Sequence, residues 1–193
     1  MLNRKEPLVF EINGYLEPGI HDCTLDELQM LTFTNNHRCA LGAKLLNFLD
    51  WPTGLQGFAH IYIGGGFLSS RPAPRDVDLV LETKNRFGSE AFATVEPFFR
   101  MGLGQIFEQY SIHLHFWMEG APAPLLDYRS FFQQSNPEDP RDFDIDRKGI
   151  VRLSLCAQRR ERKDPKRYGE LSFDSDAALA VPGSLTGARI GGD

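Results

Sequence analysis

The chain has 193 residues, 41% of them hydrophobic and 24% charged, with 21 Lys and Arg against 26 Asp and Glu for a formal net charge of −5. Such proportions fit one soluble globular domain with a core of its own and argue against coating of nucleic acid by net charge, although a local basic patch could still serve a phosphate-bearing partner. Three scattered cysteines, Cys23, Cys39 and Cys156, make neither a disulfide framework nor a zinc knuckle, and no signal-peptide pattern or apolar run of ~20 residues occurs, so a cytoplasmic protein off the membrane is expected.

Residues 1–22 carry Pro7, Gly14, Pro18 and Gly19 between short apolar pieces and read as an extended arm, with Leu8-Val9-Phe10 able to dock on the core. Thr24-Leu25-Asp26-Glu27 has the spacing of a capping box, which predicts a helix from Leu25 to about Leu31. Asn35 or Asn36 then caps a longer helix whose buried stripe takes in Cys39, Ala40, Leu41, Ala43, Leu45, Leu46, Phe48 and Leu49, stopped by Trp51-Pro52-Thr53-Gly54. His60 to Ile63 is a short apolar strand, and Asp76 to Glu82 is a second. Between them Pro72 and Pro74 leave room for one helical turn after Phe67.

Ser89 is the expected N-cap of a helix bent at Pro97. From Tyr110 to Met118 the residues Ile112, Leu114 and Phe116 alternate with His113, His115 and Trp117, a half-buried strand with both histidines on one face. After the Ala121-Pro122-Ala123-Pro124 break, Leu125 to Gln134 is a short helical candidate and Asn136 to Asp146 an acidic loop. Lys148 to Cys156 alternates as a last strand, Ile150 and Arg152 on one face and Val151, Leu153 and Leu155 on the other. A basic run follows from Arg159 to Arg167, read as a solvated face or a grip on RNA, and from Gly169 the composition is that of a disordered tail. The expected fold is α/β (α+β), a small mixed sheet flanked by helices, with an arm at 1–22, a domain at 23–157 and a tail at 158–193.

The chemistry concentrates in Ile61-Tyr62-Ile63-Gly64-Gly65-Gly66-Phe67 and Asp76-Val77-Asp78-Leu79. Alternation places Asp76 and Asp78 on one face of their strand, where two acids repel unless a cation lies between them. Carboxylate oxygens suit Mg²⁺, and glycines let backbone N–H groups approach a phosphate. The same residues also fit a plainer role, a tight turn and two solvent-facing acids after Pro74-Arg75. His113 and His115 read either as the polar side of an edge strand or as metal ligand and general base. Arg71, Arg75 and Lys84 are close in sequence and could neutralise a triphosphate, Glu82 and Glu96 are read as surface acids, and Phe98, Phe99, Phe131 and Phe132 as core.

A strand, a Gly-Gly turn at Gly65-Gly66, a short gap and Asp76-x-Asp78 on the next strand resemble the nucleotidyltransferase superfamily that includes DNA polymerase beta. A narrower likeness runs through Leu16-Glu17-Pro18-Gly19-Ile20-His21, Gly66-Phe67, Pro74-Arg75-Asp76-Val77-Asp78, Phe131-Phe132-Gln133 and Lys148-Gly149-Ile150-Val151. These segments look like a bacterial and phage family of unknown function with a nucleotidyltransferase-like core. The resemblance implies Mg²⁺ or Mn²⁺ on Asp76 and Asp78, an NTP whose phosphates lie against Gly64, Gly65, Gly66, Arg71 and Arg75, and transfer to RNA, protein or a small molecule. Cores of this size also resemble toxin or phage-defence components.

The superfamily's turn serine is replaced by Gly66, and its third carboxylate has no counterpart on the following strand, where His113 is the substitute. The competing expectation is therefore a catalytically degenerate binding protein, such as a phage-encoded inhibitor or an antitoxin-like protein partner.

Overall fold

A computed structural model of the chain describes residues 7–50, 56–122, 126–135 and 146–154. Its strands are β1 (Gly19–Cys23), β2 (Phe58–Gly64), β3 (Val77–Thr83), β4 (Ile112–Trp117) and β5 (Gly149–Ser154). Its helices are α1 (Leu25–Thr32), α2 (Asn36–Leu49), α3 (Ser89–Met101), α4 (Leu103–Tyr110) and α5 (Tyr128–Phe132), with one 3₁₀ turn at Gly66–Leu68. The strands form a single mixed sheet in the order β1-β5-β2-β3-β4. The outer pairs, β1 with β5 and β3 with β4, are parallel, while β2 runs antiparallel to both neighbours.

The fold class is thus the mixed α/β arrangement that the strand and helix patterns imply. Ile61, Ile63, Leu79, Leu81, Ile112 and Leu114 are buried on one face of the sheet. The helices cover that face, with Phe98 of α3 edge-on to Phe58 and Phe116, and Phe48 of α2 edge-on to Tyr110. A register shift between Phe58 and His60 turns Phe58 into this core, against the simple alternation of β2. On the opposite face α5 packs over Tyr62, His115 and Gly64. No helix among the described residues is long and apolar enough to cross a membrane.

Local sequence explains several element ends. The Thr24 hydroxyl accepts from Glu27 N at 3.2 Å while the Glu27 carboxylate accepts from Thr24 N at 2.7 Å, the reciprocal box expected from the spacing. Thr24→Ala is expected to lower stability by about 1 kcal/mol, a shift of a few degrees in a thermal melt. Asn35 caps α2 through Arg38 N. At α3 the cap is Gly88, not Ser89, and it has no side-chain hydrogen bond; the helix passes through Pro97 to Met101.

Further sequence expectations are corrected. Ala40 and Ala43 are exposed, and Arg38 takes the buried place on α2 beside Leu41 and Leu45. Helix α4 occupies residues left without an element and takes in Tyr110, which was expected to open the fourth strand but lies before its start at Ile112. Gly19–Cys23, all but its last residue within the extended arm, is a sheet strand, and Leu8 and Phe10 of the arm pack on the core as expected. Phe98 and Phe132 are core, but Phe99 and Phe131 are exposed. The helix stop at 51–54, most of the acidic loop, the basic run and the tail lie outside the described residues.

Candidate metal centre

Strand pairing assembles the site from residues far apart in sequence. Gly64 sits opposite Asp78 across the β2–β3 pair, and Asp78 opposite His113 across the β3–β4 pair, so the glycine turn, the acids and the histidine share one level of the sheet. His113 Nδ1 lies 3.5 Å from Asp78 Oδ1 and 3.6 Å from Asp76 Oδ2. One potential ligand atom from each of Asp76, Asp78 and His113 falls within 4.8 Å of the other two.

Electrostatics add to the geometry. Burial, and then the neighbouring Asp76 carboxylate, push the Asp78 carboxyl above its ordinary range, with His113 and Lys148 pulling the other way. A cation among the three side chains would relieve both desolvation and repulsion. Two carboxylates and an imidazole therefore form a donor set that fits a divalent ion, with the imidazole favouring Mn²⁺ over Mg²⁺.

Each glycine of the turn does something different. Gly65 adopts φ +68°, and a Cβ there would lie 1.7 Å from Asp78 Oδ2, so only glycine lets that carboxylate close on the turn. Gly64 makes room for α5, since its Cβ would stand 2.9 Å from Phe132 Cβ. Gly66 opens the 3₁₀ turn, and a Cβ there would meet only ordinary contacts, the nearest being Arg71 Nη1 at 3.5 Å. Arg71 is accordingly beside the turn. Arg75 is exposed one residue before Asp76, with no ion pair to either acid among the described residues.

His113 and His115 share a face but not an environment. The Phe107 ring of α4 stacks on His113 at 4.5 Å and 12°, which orients the imidazole toward the acids. His115 instead stacks on Tyr128 at 3.7 Å, and burial, then the nearby His113, hold its pKa below the ordinary value. It belongs to the packing of α5.

Lys84 and Glu82 are also elsewhere than their sequence positions suggest. Lys84 is six residues beyond Asp78, about 20 Å along an extended chain, and its Nζ donates to Gln56 O at 2.7 Å. Glu82 is no simple surface acid. Its carboxylate accepts from the Tyr62 hydroxyl at 2.7 Å and from His60 Nδ1 at 2.8 Å, while Arg129 pairs with Asp127 and lies over the Trp117 ring. Glu96 is exposed and pairs with Arg100.

Further residues shape the site through contacts that no sequence signal reveals. Arg38, 1% exposed, donates to the carbonyls of Thr32, Arg71 and Phe67 and lies over the Phe67 ring. Asn35 Nδ2 donates to Pro72 O at 2.9 Å and His37 Nε2 to Pro74 O at 2.7 Å. The start of α2 thereby holds by its carbonyls the whole segment that leads from the glycine turn to Asp76. Phe107 positions His113, as above. Lys148, reached through β5, is near enough to act on the Asp78 carboxyl.

No curated protein and no solved structure matches the chain significantly. The family of unknown function DUF6932 matches residues 8–154, a span that holds every described strand and helix together with Asp76, Asp78 and His113, and the chain belongs to that family.

Proposed function

We propose that this protein is a metal-dependent nucleotidyltransferase, moving a nucleotidyl group from an NTP to a hydroxyl acceptor on RNA, protein or a small molecule. The observation that carries the reading is the convergence of Asp76, Asp78 and His113 within 4.8 Å beside a glycine turn. The sequence likeness to the polymerase-beta-like superfamily adds the reaction type. Asp76, Asp78 and His113 would hold a divalent ion, Mn²⁺ better than Mg²⁺. When bound, that ion supplies positive charge to the phosphate oxygens on which negative charge grows during transfer.

The chain's own residues bind and orient. Gly65 and Gly66 offer backbone at close range to phosphate, and Arg71 adds a guanidinium beside Gly66. Phe107 keeps the His113 ring turned to the acids. In the overall reaction the acceptor oxygen bonds the α-phosphorus, the bond to the β-phosphate oxygen breaks, pyrophosphate leaves and the hydroxyl proton passes to solvent.

A second reading, a binding protein that has kept the fold and lost the chemistry, is favoured by Gly66 at the superfamily's serine position. Incubation of the protein and a cell extract with α-labelled NTPs and Mn²⁺ separates the two. Transfer of label by the wild type, reduced at least about a hundredfold in Asp76→Asn/Asp78→Asn, is the expected result. No transfer to any component would leave the binding reading.

A further inference from the structure

A cavity of about 690 Å³ opens along β4, walled by Phe92 and Phe99 of α3, Leu103 of α4, and Leu126 and Tyr128 from the segment that follows β4. Its size is that of a small-molecule site. Phe92, Phe99 and Leu126 are each about half exposed, and large apolar side chains left wet in one hollow are a surface that a ligand would dry. Charge is balanced there. The described lining holds one carboxylate and one guanidinium, and they pair, Arg129 Nε donating to Asp127 Oδ1 at 2.9 Å and Nη2 to Oδ2 at 3.0 Å. A phosphate finds no unmatched guanidinium among the described lining, whereas a flat uncharged ring finds aromatic partners.

The floor of the cavity is polar. β4 is the last strand of the sheet and its ladder with β3 is parallel, so alternate residues turn both backbone groups toward β3 and those between turn them outward. Ser111 O accepts from Val77 N at 2.9 Å, and Trp117 O lies 3.5 Å from Thr83 Oγ1, which makes Ser111, His113, His115 and Trp117 the inward set. Leu114 and Phe116, both in the cavity lining, are therefore the outward set. The Leu114 C=O and the Phe116 N–H offer an acceptor beside a donor along an open strand edge. Adenine presents the complement, its N6 amine beside the ring acceptor N1.

The cavity also borders the metal centre. His115, part of its lining, is two residues from His113 on the same face of β4, about 7 Å along the strand, a gap that a ribose spans. We infer that the cavity takes the adenine ring of a nucleotide whose phosphates lie at Asp76, Asp78 and His113, with the amine on Leu114 O, N1 on Phe116 N–H and the ring against the aromatic walls. The inference rests on the nucleotide reading of that centre, and names ATP as its substrate.

Calorimetric titration of the full chain tests it with adenosine, inosine, Mn²⁺, and Mn²⁺ with α,β-methylene ATP, which cannot transfer its nucleotide, on wild type, Phe92→Ala/Phe99→Ala and Ala121→Trp. The double variant strips stacking surface from half-exposed positions, and Ala121→Trp fills the hollow. The expected result is adenosine binding to the wild type about tenfold tighter than inosine, whose edge carries the donor and acceptor in reversed order, and about tenfold weaker in each variant, with Mn²⁺ affinity unchanged. The nucleoside comparison on the wild type holds even if a variant fails to fold. Inosine binding as tightly as adenosine, no adenosine binding to the wild type, or adenosine affinity within twofold of wild type in both variants overturns the inference. If adenosine behaves as expected but the ATP analogue with Mn²⁺ binds no more tightly than adenosine, the nucleotide reading of the metal centre fails and the adenine site stands. If the analogue binds the wild type and both variants equally tightly, the metal-centre reading stands and the adenine site falls.

Discussion

Gly65→Ala is expected to abolish metal binding at the candidate centre and to destabilise the fold. Residue 65 has φ +68° and ψ −157°, a region that is essentially glycine's alone, and occupying it with alanine costs about 1–3 kcal/mol. The larger effect is local. The new Cβ would fall 1.7 Å from Asp78 Oδ2, so either the carboxylate leaves its place beside His113 or the turn opens. Gly66→Ala is the control, because a Cβ there makes only ordinary contacts. Paired thermal melts with and without Mn²⁺ check the contrast: the metal-induced rise in Tm should vanish in Gly65→Ala and persist in Gly66→Ala. A normal rise in both would remove Gly65 from the account.

The second large effect is expected from Arg38→Met, which keeps most of the side-chain volume and removes every donor. Arg38 is 1% exposed, and burial lowers its pKa; its guanidinium donates to the backbone carbonyls of Thr32, Phe67 and Arg71. Removing the guanidinium leaves these oxygens short of a donor and unfastens the segment between the glycine turn and Asp76. A loss of about 3–5 kcal/mol in urea denaturation follows from the usual cost of unsatisfied buried groups. Weaker Mn²⁺ binding should accompany it, because Asp76 is held from this segment. Stability within about 1 kcal/mol of wild type would mean that the carbonyls find other partners.

Much of the site was legible from local pattern. Alternation alone put Asp76 and Asp78 on one side of the chain where β3 begins and His113 on one face of β4, and the run of glycines marked the turn before them. What alternation leaves open is pairing. Whether His113 stands beside Asp78 or several residues away depends on parallel register between strands about thirty residues apart, a non-local choice made by the packing of α3 and α4. The same limit hid β1, whose partner β5 lies 130 residues downstream. Helix α4 carries Leu103, Ile106, Phe107 and Tyr110 at helical spacing, but Gly102 and Gly104 break up the signal. Arg38 was hidden for a different reason. A cation in an apolar stripe reads as an interruption until the carbonyls it binds, 29 and 33 residues on, are in place. Glu82 is similar, an ordinary acid in sequence that becomes a hydrogen-bonded centre only when β2 brings Tyr62 and His60 alongside.

The central claim is that Asp76, Asp78 and His113 form a metal centre. Titration with Mn²⁺, following the free ion by electron paramagnetic resonance, tests it most directly on wild type, Asp78→Asn and His113→Ala. The account predicts saturable binding to the wild type, at least about tenfold weaker in either variant, with both variants retaining their folded circular dichroism spectrum. Equal binding by all three proteins, or no saturable binding by the wild type, would contradict it.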